Sequence, residues 1–426
     1  MAGVSPGSGM TLIACPDCAA IQLMPSPPAK GWVECWRCGH VLERTAGRSV
    51  DVALACALAT LLLLIPANFM SVMTVHLAGT TSSTHLASGL VTAWRQGWPL
   101  LAIVMGLLGV VLPFVRFGLL AVTLGAIRFG LRDYWLGPAF RLCQKLDLWA
   151  MADVVLIGAG IGYGRVSSQI PVHIDVGGWC FAAAAVMTMV TRASLERRAI
   201  WRSLPGADSD GGTIACTSCD LVLSRDAQGS RCPRCAAPVH WRRPFALMQC
   251  TALLLACWLI MPAAYGLPMS AFWKFGEAHP HTVIEGIAVL FHNGFWPFGV
   301  VLVIVSIGVP FAKLIILSWL LAAVRWRWSW WLRTRTRLYR LIDEIGRWSN
   351  LDPFTVMVFA PMIQFDSIAH FDVRIGSTFF LASVVLSMLA TRVFDPRLMW
   401  DAAEAGSRAR DETKHVPAGE ESAELR

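Results

Sequence analysis

Charged residues are scarce in this chain of 426 residues, where Asp, Glu, Lys and Arg make up only 15% of the sequence. Soluble domains average roughly 25%. Long windows contain none of the four, among them Val52–Trp94, Pro244–Trp273 and Gly286–Ala312. Because a membrane-spanning helix needs about 20 predominantly apolar residues, the composition excludes an ordinary soluble protein. It predicts a mainly α-helical, polytopic membrane protein.

Motifs of common enzyme classes are also missing. The sequence has neither a Walker A motif nor an HExxH motif, so it offers no site of those types for ATP or for a zinc-protease reaction. We expect a non-enzymatic protein. The formal net charge of +8 comes from basic residues that flank the apolar windows, which fits membrane orientation better than nucleic-acid binding.

The chain repeats itself with a spacing of just under 200 residues. Landmarks recur in the same order in both halves: Pro66 and Pro262, Gly89 and Gly286, Trp98 and Trp296, Pro113 and Pro310, Trp149 and Trp348, Gly177 and Gly376, Trp201 and Trp400. Such a series predicts a tandem duplication, and internal repeats are common in membrane proteins.

Each half is expected to contain four spans. Their approximate ranges are 51–75, 98–127, 150–170 and 176–195, then 245–268, 296–324, 351–367 and 374–393. The third is the weakest in both halves, because one copy is short and glycine-rich and the other contains two prolines. The expected domains are a zinc ribbon at 1–48, a four-helix unit at 49–203, a second ribbon at 204–243, a second unit at 244–402 and a disordered tail at 403–426.

Basic residues predict the orientation. The loops after the second span of each half are rich in arginine, whereas the loops on the other side carry few basic residues. By the positive-inside rule both ribbons and the C-terminus are cytoplasmic, and the two halves form a parallel repeat. The first 15 residues show no signal-peptide pattern, so we expect a cytoplasmic N-terminus as well.

Two segments of the outer loops alternate apolar and polar residues. They are residues 73–86 and 170–177. Alternation is typical of half-buried strands, so we predict that they pair in a small periplasmic sheet; irregular loops are the alternative.

Eight of the 13 cysteines form CxxC pairs, two pairs ahead of each apolar half. They are Cys15, Cys18, Cys35 and Cys38, then Cys216, Cys219, Cys232 and Cys235. This spacing is typical of structural Zn²⁺ sites with four thiolate ligands, which leave no open position for catalysis. Iron in a rubredoxin-like site is a less favoured alternative. Disulfides and redox-active pairs are the other two, although the expected cytoplasmic side disfavours disulfides.

Arg116 and Lys313 occupy the same repeat position, three residues after a proline in the long second span. Cations within membrane helices are costly and often functional. We consider a contact with an anionic lipid headgroup or a charge pair within the helix bundle, with Asp153 and Asp352 as candidate partners. The alternative is that both cations extend to the cytoplasmic interface.

The doubled cysteine modules, the Pro-x-x-basic pattern, "LWAMADV" at 148–154 and "RWSNLDPF" at 347–354 together resemble the paraquat-inducible protein A family over nearly the whole chain. The resemblance implies a tetraspanin-like unit in each half and a multi-pass protein of the bacterial inner membrane. It also implies phospholipid and a periplasmic MCE-domain protein as partners, in a lipid transport system between two membranes. The second copy has Asn350 and Leu351 where the first has Met151 and Ala152, so the halves need not be equivalent.

On this hypothesis each ribbon clamps the cytoplasmic ends of the helices that follow it and holds the two halves together. Two functions of other classes compete with lipid transport. One is a quinone-linked redox protein that uses the CxxC thiols, and redox-silent zinc would exclude it. The other is a proton-coupled exporter of small molecules, for which the spans contain few titratable residues.

Overall fold

The computed structural model describes residues 11–24, 31–45, 50–77, 80–167, 172–205, 212–274, 277–292, 294, 296–351, 354–355, 364–365 and 369–414. Within these ranges the chain is mainly helical. In chain order the helices are α1 (Val50–Phe69), α2 (Ser88–Arg95), α3 (Pro99–Arg128), α4 (Leu136–Leu146), α5 (Ala152–Ser167), α6 (Val176–Ser194), α7 (Arg197–Ser203), α8 (Ala246–Gly266), α9 (Val283–His292), α10 (Gly299–Arg325), α11 (Leu332–Ile345), α12 (Ile375–Val393) and α13 (Arg397–Lys414).

Six helices in the described part of the chain are long and apolar enough to cross a membrane. They are α1, α3 and α6 in the first half and α8, α10 and α12 in the second. In each half the first and last of the three pack along each other, α1 on α6 and α8 on α12. The predicted first, second and fourth spans of both halves are therefore confirmed as helices.

The third spans differ from the prediction. In the first half α5 has 16 residues, which at 1.5 Å per residue reach about 24 Å and fall short of the roughly 30 Å hydrocarbon layer. In the second half most of the predicted range 351–367 lies outside the described residues, and Gln364–Phe365 forms a strand. The prediction that a helix continues through residues 364 and 365 is therefore wrong.

Small side chains let the first and last helices of the first half approach closely. Ala53, Ala57 and Thr60 are buried on α1, and Ala184 and Thr191 are buried on α6. The hydroxyl oxygens of Thr60 and Thr191 lie 3.4 Å apart. Close packing of small residues, with hydroxyl contacts between helices, replaces the hydrophobic effect inside a bilayer.

The strands form two small sheets next to the helices and three hairpins elsewhere. In chain order they are β1 (Thr11–Ala14), β2 (Ile21–Met24), β3 (Gly31–Glu34), β4 (Val41–Thr45), β5 (Met73–Leu77), β6 (Thr80–Thr84), β7 (Val172–Ile174), β8 (Ile214–Ala215), β9 (Val222–Leu223), β10 (Ser270–Lys274), β11 (Glu277–His281), β12 (Gln364–Phe365) and β13 (Ala369–Val373). The sheet orders are β6-β5-β7 in the first half and β11-β10-β13-β12 in the second.

The predicted pairing of the two alternating segments is confirmed. Strand β5 runs antiparallel to β7, with Met73 opposite Ile174 and Val75 opposite Val172. The second half repeats the arrangement, with Ser270 of β10 opposite Val373 of β13. Because each sheet follows the C-terminal end of α1 or α8, the sheets lie at the opposite ends of these helices from the cysteine pairs.

The two halves share a large buried cluster and are joined directly at the sheet end. The Trp98 indole N–H donates to the Val373 carbonyl at 2.9 Å, and the Val373 amide donates to the Gln96 side-chain oxygen at 3.0 Å. Deeper in the core, α5 of the first half packs beside Leu351 and Phe354 of the second. One large buried cluster thus draws on both halves, while a second lies in the first half with the second ribbon and a third lies in the second half.

The C-terminal segment also differs from the prediction. The tail from residue 403 was predicted to be disordered, but α13 continues to Lys414; residues 415–426 lie outside the described residues. The helix is anchored because Trp400 and Ala403 are buried. The polar composition of the tail favoured disorder, because the apolar residues that anchor the helix lie only at its start.

Gly177 and Gly376 match in the repeat because a side chain has no room there. A Cβ on Gly376 would lie 2.6 Å from the carbonyl oxygens of Leu267 and Pro268, and one on Gly177 would lie 2.5 Å from that of Ser71. Each glycine therefore allows a helix start to pack against the end of the neighbouring span.

Gly376→Ala should destabilise the protein by about 2 kcal/mol or more, because the clash is with backbone that cannot move aside. Thermal unfolding in detergent, followed by tryptophan fluorescence, would measure it. The matched control is Gly286→Ala, where a Cβ meets nothing within 4 Å and alanine favours the helix. Equal melting temperatures for the two variants would contradict the packing argument.

Candidate metal centres and buried charge network

The first cysteine cluster is built from two hairpins. Cys15 and Cys18 lie in the turn between β1 and β2, and Cys35 and Cys38 in the turn between β3 and β4. Backbone hydrogen bonds close each turn, from the Cys15 amide to the Ala20 carbonyl at 2.9 Å and from the Cys35 amide to the His40 carbonyl at 2.7 Å. Both turns thereby direct their thiols to one point.

The second cluster has the same geometry in a shorter frame. Sγ of Cys216 lies 3.5 Å from that of Cys235, and Sγ of Cys219 lies 3.6 Å from that of Cys232. The matching distances in the first cluster are 3.5 Å for Cys15–Cys38 and 3.6 Å for Cys18–Cys35. All eight thiols are buried, and within each cluster the sulfurs lie within 4.8 Å of one another.

These distances suit a tetrahedral metal site. Four sulfurs at about 2.3 Å from a central ion would be about 3.8 Å apart, close to the observed spacing. All 13 cysteines, each within the described ranges, are free thiols. The two clusters can therefore each hold a metal ion.

An arginine from the other half of the chain offsets the negative charge beside the first cluster. Arg340 on α11 donates from Nε to Asp17 at 2.5 Å and approaches the Cys38 sulfur with Nη2 at 3.4 Å. His40 Nδ1 lies 2.9 Å from the same carboxylate.

The first ribbon, β1 to β4, is bonded mainly to the second half. Arg37 pairs with Glu404 and lies 4.6 Å from the Trp400 ring centre. Arg333 donates to the Arg37 carbonyl at 2.9 Å, and Arg397 donates to the Pro16 carbonyl at the same distance. An ion pair between Glu43 and Arg202 adds one contact with the first half.

The second ribbon, with β8 and β9, packs on the first half. Its four cysteines share a buried cluster with Leu136, Phe140 and Trp201. Gly137 on α4 lies directly against the Arg234 carbonyl. The expectation that each ribbon clamps the helices following it therefore holds only in part: Arg242 of the second ribbon pairs with Asp401 and Arg243 donates to the Arg392 carbonyl, but the apolar contacts of this ribbon are with the first half. Each ribbon packs mainly on the opposite half. The apolar faces of α4 and α7 pack on the second ribbon, and the charged faces of α11 and α13 bond to the first. Ala14 of the first ribbon also contacts Ala215 and Val222 of the second.

Arg116 forms part of a network of four charges at the ribbon end of the first half. It is only 2% exposed and pairs with Asp147. Asp147 also accepts from Arg192 Nε at 2.8 Å, and Arg192 Nη1 donates to Asp153 at 2.7 Å. The predicted partner Asp153 thus belongs to the network through Arg192, and the sequence reading missed Asp147 and Arg192.

A thiol outside both clusters fixes α4 against α3 in this region. Burial raises the pKa of Cys143 to about 12, so the group stays protonated near neutral pH. The thiol donates to the Arg116 carbonyl at 3.4 Å.

At the same repeat position the second half has a lysine with different contacts. Lys313 is 2% exposed, and its ammonium lies 3.1 Å from the Ser387 hydroxyl. Arg392 on α12 lies 3.4 Å from Asp343. Asp352, the predicted partner of Lys313, lies outside the described residues. The halves therefore differ in charge pairing, as the divergence at 350–351 had suggested.

Both buried cations follow a local change of helix type. A π-helical stretch covers Leu107–Val111 in α3 and Val303–Gly308 in α10, just before Pro113 and Pro310. Such segments free backbone carbonyls and are frequent at functional sites. In the second half the Tyr265 hydroxyl donates to the freed Ser306 carbonyl.

Comparison with known protein families gives one match that covers both halves of the chain. The model of the paraquat-inducible protein A family matches residues 50–205 and 247–404, well over half of the chain. The chain belongs to this family. The two matched stretches coincide with the two halves of the repeat, each beginning at a first apolar helix.

Curated relatives span nearly the whole chain. It is 29% identical to the Escherichia coli K12 "Lipophilic envelope-spanning tunnel protein A", over 93% of both chains. It is 26% identical to a Haemophilus influenzae "Probable intermembrane transport protein", over 91% of this chain and 95% of the relative. It is 25% identical to the E. coli K12 "Intermembrane transport protein PqiA", with the same coverage. No solved structure matches. The chain is thus a multi-pass membrane protein related to proteins named for intermembrane transport.

Proposed function

We propose that this protein is the inner-membrane subunit of a lipid transport system, which loads phospholipid into, or receives it from, a periplasmic MCE-domain protein. The observation that carries the proposal is the nearly full-length similarity, over both halves, to relatives named as intermembrane transport proteins or as an envelope-spanning tunnel protein. The membrane portion is two four-helix, tetraspanin-like units of the same polarity, at 49–203 and 244–402. Nothing in this role requires catalysis.

The two ends of the helices have different roles. The sheets at one end face the periplasm and dock the partner, and the arginine-rich ribbon end faces the cytoplasm together with both termini. Support for this polarity comes from the basic residues at the ribbon end, including Arg325, Arg327 and Arg333. The exposed Trp326 and Trp331 nearby suit a bilayer interface.

The ribbons at 1–48 and 204–243 each hold one Zn²⁺ as a structural element. Four thiolates close the coordination sphere, so the ion cross-links the hairpins and supplies no open position for a reaction. Because the ribbons cross over to the opposite halves, they brace the cytoplasmic ends of the two units against each other.

Co-purification from native membranes tests the proposal. The tagged chain should bring an MCE-domain protein, phospholipid and two zinc ions per chain with it. Ser83→Arg on the exposed strand β6 should lose the partner, whereas Gln228→Arg, exposed on the second ribbon, should keep it. Recovery of the chain alone, free of lipid, would overturn the transport role.

A further inference from the structure

We infer that a cavity beside Arg116 binds a phosphate-type oxyanion, supplied either by a lipid headgroup or by free phosphate. The headgroup source rests on the proposed lipid transport function. The cavity measures about 210 Å³, room for roughly seven water molecules at about 30 Å³ each. Its polar lining comes from five helices, α3, α4, α6, α7 and α11, and from the residue after α4: Arg116, Gln144, Asp147, Arg192, Arg197 and Glu344.

Arg116 lines this cavity, and two of its nitrogen donors are unsatisfied within the described part of the chain. Its Nη2 pairs with Asp147, and the guanidinium lies 4.7 Å from the Phe117 ring centre. Nε and Nη1 have no hydrogen-bond acceptor among the described residues, and neither does Nε2 of Gln144. A buried donor without an acceptor is costly, so the site favours a ligand rich in acceptors.

The neighbouring carboxylates are engaged elsewhere. Asp147 accepts from both Arg116 and Arg192, and Asp153 accepts from Arg192. Glu344, which also lines the cavity, is exposed, so solvent and salt screen its charge. A phosphate oxygen would complete the guanidinium fork, the geometry in which arginine recognises such groups best.

The depth of the cavity suits a headgroup. Helix α3 has 30 residues and is therefore about 45 Å long, well beyond the roughly 30 Å hydrocarbon layer. Arg116 follows Pro99 by about 26 Å along the axis, which places it near the boundary of the hydrocarbon at the ribbon end. Phosphates of the leaflet on that side lie at this level.

A binding experiment on the full-length protein in dodecyl maltoside, which contains no phosphate, tests the inference. One arm titrates inorganic phosphate at constant ionic strength, and the other titrates phosphatidylglycerol in mixed micelles. The melting temperature should rise saturably in at least one arm. A rise with phosphate alone assigns free phosphate, and a rise with the lipid alone assigns the headgroup; a rise in both assigns the shared oxyanion chemistry.

Variants then tie the binding to the cavity. Gln144→Leu removes one donor and keeps the ion pairs, so it should weaken binding about tenfold. Arg116→Lys, which loses the fork, should weaken it at least as much. The control Lys145→Gln, at an exposed neighbouring position, should bind within twofold of the unmodified protein.

Two results would overturn the inference: no saturable rise in either arm, or unchanged binding in Gln144→Leu. Its failure is separable from that of the transport proposal. A chain that co-purifies with its partner and phospholipid but shows no saturable binding loses only the oxyanion site. A chain that binds but recovers no partner loses only the transport role.

Discussion

Cys216→Ser should remove one metal ion per chain and lower the amount of folded protein in the membrane several-fold. The reason is that the second ribbon has little else to hold it, since β8 and β9 have two residues each. Structural zinc supplies about 10–16 kcal/mol of apparent binding energy in zinc-finger peptides. Elemental analysis of purified protein and quantitative blotting of membranes measure the two effects.

Because the second ribbon packs on the first half, loss of its metal ion should also destabilise that half. Phe140 and Trp201 pack edge to face, with ring centres 4.9 Å apart, in the cluster that the four cysteines complete. Cys56→Ser is the matched control, because Cys56 lies on α1 outside both clusters and should keep both ions and normal abundance. A Cys216→Ser protein at full abundance but without transport activity would show that the ribbon is not a structural brace.

Arg192→Met should lower the free energy of unfolding by about 3–5 kcal/mol, because it leaves Asp147 and Asp153 without their shared cation. Arg192 bonds both carboxylates in a largely buried setting. Unfolding in mixed detergent, followed by circular dichroism, would measure the change.

Arg128→Met is the comparison for that effect. Arg128 pairs with Asp51 at 2.5 Å, but its side chain is 60% exposed, so the loss should be at most about 1 kcal/mol. Adding Asp153→Asn to Arg192→Met should restore part of the stability, because it removes one of the two carboxylates that lose Arg192. Equal losses for Arg192→Met and Arg128→Met would refute the network as a source of stability.

Local patterns in the sequence predicted the elements that local physics determines. Uncharged windows identified the six long helices, and the alternation at 73–86 identified the strands. The spacing of Cys15, Cys18, Cys35 and Cys38 predicted a converging thiol cluster. Each of these signals depends on residues close together in the chain.

Contacts between distant segments were not predictable in the same way. Arg340 reaches Asp17 across more than 300 residues of sequence, and nothing near either residue indicates the other. Arg192 carried no signal from the repeat, since Thr391 stands at the equivalent position of the second half. Asp147 has no acidic repeat partner, because Gly346 stands at the equivalent position, and so resembled any other loop charge.

The central claim is that both halves have the same polarity, with the sheets in the periplasm and the ribbons in the cytoplasm. One cysteine at a time is added at an exposed position, with the native cysteines kept, and its labelling above that of the unmodified protein is measured with an impermeant maleimide in cells whose outer membrane is permeabilised. Ser83→Cys and Pro280→Cys, on β6 and β11, should label in such cells. Gln228→Cys and Ser407→Cys should label only after the inner membrane is broken. Labelling of Gln228→Cys before lysis, or protection of either strand position, would contradict the account.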